Sequence, residues 1–187
     1  MIKLRNFIRD ALSGWRSERH VSPANILWFI SLLSLLAGLD YLSGDTFFHE
    51  FIWLVPPFAA TLSILLLLPQ SPIAQPIPVI FGSTFGASIG TVMALEVHGP
   101  VYAVIAAAIV LLLLSRIRIY HPPGVALSMY PLLLHPGWLF PLVVVLPFTI
   151  VAVLSAALLS RRVASWPQYP IPLHPTPAKT DAPGDTP

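Results

Sequence analysis

Apolar runs long enough to cross a bilayer constrain this chain more than any other feature. They cover Ile26–Leu42, Phe51–Leu68, Ile77–Glu96, Val101–Ser115 and Trp138–Ser160, and the charged residues lie almost wholly between or beyond them. Backbone surrounded by hydrocarbon must satisfy its own polar groups, so runs of this kind form helices. Hydrophobic residues make up 56% of the chain and charged residues 10%, which leaves no room for a sizeable soluble enzyme domain between the spans. The fold class is therefore all-α, a polytopic membrane helical bundle. The absence of cysteine excludes disulfides, thiolate metal sites and cysteine nucleophiles. The net charge of +2 is small, and its basic residues concentrate near the N-terminus. That pattern sets topology and does not point to nucleic acid.

Residues 1–21 place Leu4, Phe7, Ile8, Ala11, Leu12 and Trp15 at helical spacing among Lys3, Arg5, Arg9, Arg16 and Arg19. This is the pattern of an interfacial amphipathic segment, with a solvated basic tail as the alternative, and either puts this end in the cytoplasm. The membrane domain, 22–162, starts at Ser22-Pro23. Asp40, Asp45, His49 and Glu50 follow the first run, and no basic residue separates it from the second, as expected of an outer loop. Pro69 to Pro76 is a proline-punctuated return on the inner side. In the third run Gly82, Gly86 and Gly90 recur at every fourth position, a smooth face for close helix packing in lipid. Arg116 and Arg118 close the fourth run and Arg161-Arg162 the last. Placing both pairs inside requires Pro123–Leu134 to cross, although a dozen residues span only about 18 Å of a core about 30 Å thick. The expectation is five full spans plus one short or broken span, with both termini cytoplasmic. Residues 163–187, rich in proline and small polar side chains, read as a disordered tail.

Two Pro-Pro pairs punctuate the membrane domain. His121-Pro122-Pro123-Gly124-Val125-Ala126 aligns with Val55-Pro56-Pro57-Phe58-Ala59-Ala60, with identity at both prolines and the last alanine. Proline disfavours helix at the preceding residue and is well placed in a first turn, so each pair opens a new helix. Each would open the middle element of a three-span half. Three is odd, so the halves would form a 3+3 inverted repeat, a recurrent transporter design; two unrelated kinks are the alternative.

His121-Pro122-Pro123, together with Pro69-Gln70-Ser71-Pro72-Ile73-Ala74-Gln75-Pro76 and the glycine-rich span after it, resembles the HPP family of integral membrane proteins. The resemblance covers about Trp53 to Leu159 and implies a transporter, with nitrite among the solutes associated with the family. It also suggests the bacterial inner membrane as the location. Where the family tends to follow Gln-Pro with Arg-Asn, this chain has Ile77-Pro78, and where the family has a second small residue after the motif glycine, this chain has Val125.

A helix beginning in low dielectric presents unpaired N–H groups and a positive dipole end, an anion site without a full charge. The candidate substrate-binding residues are accordingly His121, Pro122, Pro123, Gly124 and Ser128, with Pro56, Pro57, Thr61 and Ser63 as counterparts. Gly124 would admit a ligand to the backbone and His121 would donate or titrate. No Asp, Glu, Lys or Arg lies deep in a span, which disfavours a carboxylate relay. His49, His98 and His135 share the outer face on this topology, but their spacing matches no metal motif, so neither a metal nor any other cofactor is expected. No nucleophile elbow, phosphate loop or His-Glu-x-x-His motif is present, and an enzyme is not expected. The functional expectation is a transporter or channel for a small inorganic anion. Its partners are membrane lipid, the anion and further copies of itself as a homo-oligomer. The rival is a non-transporting scaffold or regulatory protein acting through its terminal segments.

Overall fold

Proline marks the start of each helical segment among the described residues. In the computed structural model, which describes residues 21–43 and 53–171, helices start at Pro23, Pro56, Pro78, Pro100, Pro122 and Pro141. A proline in the first turn gives up only an N–H that the helix leaves unpaired anyway, and its ring holds φ near the helical value. We number the helices α1 (Pro23–Ser43), α2 (Pro56–Leu67), α3 (Ser83–Met93), α4 (Pro100–Arg116), α5 (Pro122–Leu134) and α6 (Leu146–Arg162). A five-residue π-helical turn precedes α3 (Pro78–Gly82), and another precedes α6 (Pro141–Val145). No strand occurs among the described residues.

Two helices have the length and apolarity to cross a bilayer unaided, Pro23–Ser43 and Pro141–Arg162 with its π turn. The other four are apolar but shorter. Proline sets this limit. Within the second apolar run the described residues become helical only at Pro56, because Val55 ahead of it is held extended (φ −114°, ψ 134°). The residues 1–20, 44–52 and 172–187, with the N-terminal amphipathic segment, His49 and the end of the tail, lie outside the described residues.

The tightest seam joins α3 to α5, which run parallel. A Cβ added to Gly86 would collide with the backbone of Gly124, and one added to Gly90 with the backbone of Ser128. A Cβ on Gly124 would in turn strike the carbonyl of Gly82, 2.5 Å away. Where lipid tails offer no hydrophobic gain for association, this close backbone approach supplies the dispersion contact. The third and fifth elements thus share their direction and level, and Gly99 N–H, just before α4, donates to Leu132 O at the far end of α5 (2.9 Å).

On the opposite flank α2 meets α6 through large side chains, with the Phe58 and Phe148 rings stacked 3.9 Å apart. The first helix leans on this pair, and its Trp28 Nε1 donates to Ser155 Oγ at 2.9 Å. Outward-facing side chains such as Leu27, Val104, Leu112 and Leu154 are exposed, the apolar exterior that a lipid solvent demands.

The Pro-rich tail read from residue 163 does not leave the body at once. Residues 163–171 fold back, Trp166 meets Trp28 edge-on with centroids 5.3 Å apart, and Tyr169 N–H donates to Ser160 Oγ. Trp166 and Tyr169 are buried, and desolvation pushes the Tyr169 phenol up from its ordinary value. Two aromatics among the prolines provide the anchoring that the composition of the tail conceals.

The glycine seam generates a paired prediction. Gly90→Ala must displace Ser128 backbone and should lower unfolding stability by about 1–3 kcal/mol, the usual range for overpacking. Gly38→Ala in α1, where nothing lies within 4 Å of the added carbon, should raise it by about 0.5–1 kcal/mol through helix propensity. Thermal unfolding of the two variants in one detergent measures both.

Candidate functional site

His121 is fully buried, and both ring nitrogens are engaged. Nδ1 lies 2.8 Å from the carbonyl oxygen of Ile73. A carbonyl only accepts, so Nδ1 carries a proton. Nε2 lies 3.1 Å from Thr61 Oγ1. The single Thr61 hydroxyl proton has two acceptors in reach, Nε2 and Pro57 O at 3.1 Å. Donation to Pro57 would leave Nε2 either a buried acceptor without a donor or part of a buried imidazolium, and both are costly. The consistent state is a neutral ring, protonated at Nδ1 and accepting from Thr61 at Nε2.

This bond pair joins three segments. Thr61 belongs to α2, His121 caps α5, and Ile73 sits in the turn Pro72–Ala74. The turn is held by Gln75, whose Nε2 donates to Pro69 O (2.9 Å) and Ser71 O (3.0 Å) while its Oε1 accepts from Ile171 N–H (2.9 Å). Gln70 Nε2 adds a bond to Gln168 O. The two sequence patterns at 69–76 and 121–123 therefore meet physically: the proline-punctuated loop presents one carbonyl, and the histidine of the His-Pro-Pro run takes it.

The other sequence candidates divide. His121, Thr61 and Gly124 are gathered around the start of α5, and Ser128 lies one turn along it. However, Ser128 Oγ donates to Val125 O (2.7 Å). Ser63 points elsewhere: its hydroxyl donates to Ala59 O (2.8 Å), and it borders a cleft with Val21, Ile26 and Phe29 against α1. Two residues' separation on a helix turns Ser63 well away from the face that carries Thr61. Pro56 is exposed and Pro57 buried.

The start of α5 differs from the open anion site expected of it. Pro122 and Pro123 have no N–H, and Gly124 N–H donates to His121 O (2.9 Å), so the unpaired donors of an ordinary N-terminus are largely missing. Gly124 admits the backbone of α3 where a ligand was expected, and His121 has no free ring nitrogen. The free donor nearby is Ser83, whose Cα lies 3.1 Å from the Cβ position of Gly124; its buried hydroxyl has no partner. In the sequence Ser83 is one small residue in a stripe of them, and nothing there distinguishes it from its neighbours. Thr91, on the same helix, is likewise buried with an unpartnered hydroxyl. Among the described residues no cluster of three metal-ligating side chains exists, but His98 and His135 are brought into ring contact.

Comparison with known proteins gives one match. The family described as "HPP, transmembrane region" matches residues 18–170. No curated protein and no solved structure matches the chain.

The His121 bonds can be measured by a double-mutant cycle. Thr61→Val should lower stability by about 1–2 kcal/mol, and His121→Phe by about 2–3 kcal/mol because it also strands the Ile73 carbonyl. The coupling between the two, read from denaturant unfolding, should be about 1 kcal/mol; additive losses would show that the Thr61–His121 bond contributes nothing.

Proposed function

Since the chain belongs to the HPP transmembrane family, we propose that it is a membrane transporter or channel for a small inorganic anion of the nitrite type. The observation that carries this reading is the correspondence between its halves. Each half runs a longer helix, then a short helix opened by Pro-Pro, then a helix opened by a proline-led π turn. The residues ahead of the two Pro-Pro pairs, Val55 and His121, are both buried and extended, and both accept from the residue three positions on, Phe58 N–H and Gly124 N–H.

The correspondence extends to packing. Aligning Pro56-Pro57 with Pro122-Pro123 puts Phe58 on Gly124, and aligning Pro78 with Pro141 puts Gly86 on Thr149, next to Phe148. Thus Gly124 against Gly86 in one cross-half pair answers Phe58 against Phe148 in the other. Inverted repeats with interrupted helices are a recurrent transporter architecture. All four arginines near helix ends, Arg116, Arg118, Arg161 and Arg162, lie toward the end that holds His121 and Gln75, which supports six passages with both termini cytoplasmic.

The buried polar groups favour an anion over a cation in the interior. Among the described residues they are hydroxyls, one amide and one imidazole, with no carboxylate. The unpartnered Ser83 hydroxyl, beside Gly124 and the neutral His121, is the donor we assign to the passing solute. The absence of a buried charge suits a facilitator or channel better than a proton-driven pump.

Flux into proteoliposomes tests this. Wild type should pass nitrite faster than protein-free vesicles, with nitrate, formate and chloride establishing selectivity. Ser83→Ala should reduce the rate about tenfold, the equivalent of one hydrogen bond of about 1.4 kcal/mol. Flux unchanged by Ser83→Ala removes the site, and no flux of any anion leaves the scaffold as the better reading. A reporter fused after Arg162 should read cytoplasmic; an external reading overturns both the six passages and the inverted halves.

A further inference from the structure

At the end of the molecule farthest from His121, the imidazoles of His98 and His135 face each other with centroids 4.3 Å apart and planes at 39°. Their meeting is built by the backbone. His135 caps α5 in the left-handed conformation (φ 54°, ψ 52°), with its N–H donated to Pro131 O. A non-glycine residue in this region carries a conformational cost. His98 sits in the turn after α3, and the next residue, Gly99, is bonded through its N–H to Leu132 O (2.9 Å). Each ring is therefore delivered by its own backbone lock, one from each helix of the glycine seam.

The surroundings narrow the class of ligand. Both α3 and α5 end here and α4 begins at Pro100, so helix ends of both signs meet and the side chains set the chemistry. Glu96 lies two residues before His98, and every arginine among the described residues belongs to the opposite end. The rings border a cleft of about 150 Å³, also lined by Thr91, Ala94, Pro131 and Trp138. Thr91 is more than nine-tenths buried and its hydroxyl lacks a partner. Two imidazoles in ring contact, with no arginine or lysine among the described residues at this end, suit a borderline transition metal.

We propose that His98 and His135 form a two-imidazole site for a divalent transition metal of the zinc, nickel or copper class, clipping the ends of α3 and α5 together. No third histidine, cysteine or carboxylate joins them among the described residues. Water completes the shell, so the metal exchanges readily. The site does not depend on the transport reading and lies away from Ser83.

The test uses the full chain in detergent, free of any affinity tag, titrated with Zn²⁺ by calorimetry and with Cu²⁺ by electron paramagnetic resonance. Wild type should bind one equivalent and show hyperfine coupling to two imidazole nitrogens. His98→Ala and His135→Ala should each weaken binding at least about tenfold and leave a one-nitrogen signature, in keeping with the loss of one of two ligands. Because His135→Ala disturbs a cap, His135→Asn, which tolerates the left-handed conformation, is the second variant and should weaken binding equally while keeping the metal-free unfolding temperature. No binding by wild type, or binding unchanged in His98→Ala and His135→Asn, overturns the proposal.

Discussion

The contact between the backbones of α3 and α5 is what the rest of the structure is arranged around. Gly82, Gly86 and Gly90 let two helices approach until carbonyl oxygens occupy the space of missing side chains. That closeness fixes the depth at which α5 begins, because Gly82 also abuts the Ile119 carbonyl and the Cβ of His121. With His121 positioned, the Ile73 loop and α2 have a single place to bond it. Through Gln75 and Gln70 the same connection reaches the tail at residues 168–171. A seam made by backbone contact thus determines where the polar groups of three other segments lie.

Polar groups are handled economically in this interior. A short helix beginning inside an apolar body would normally carry several orphan N–H groups. Here two prolines remove the first donors and the third residue bonds back to the cap. His-Pro-Pro solves a desolvation problem before it does anything else. Its imidazole serves the same purpose, since it satisfies a carbonyl from a loop with no helix to satisfy it. Ser83 and Thr91 stand out against that background, because their hydroxyls are left open where nearly everything around them is closed.

The helical class, the family and the glycine face were legible in the sequence, because each is written in side chains at a regular spacing. Gly82, Gly86 and Gly90 could be read as a face from their four-residue period, and His-Pro-Pro as a helix start from the stereochemistry of proline. The partner of that face was not legible: the groups filling it are carbonyls of Gly124 and Ser128, which any residue possesses. For the same reason Ile73 could not be identified as the acceptor for His121, and Gly124 read as an opening for a ligand when the backbone of α3 occupies it. The π turns at Pro78 and Pro141 also leave no compositional mark beyond their prolines. Trp166 and Tyr169 could have signalled that the tail stays attached, but the prolines around them dominated the composition.

Helices opened by a Pro-Pro pair have a fixed starting point. Such a helix cannot recruit residues ahead of it, since the preceding residue is held extended, as Val55 and His121 show. Growth remains only at the C-terminal end, and for α5 the left-handed His135 closes that as well. The apolar height of α5 is therefore set by its sequence at about 20 Å for 13 residues. A thicker membrane has to be met by tilt of the whole bundle or by thinning of the lipid around it. Hydrophobic mismatch then acts on the protein as a rigid body, and membrane thickness becomes a mechanical load carried by the glycine seam.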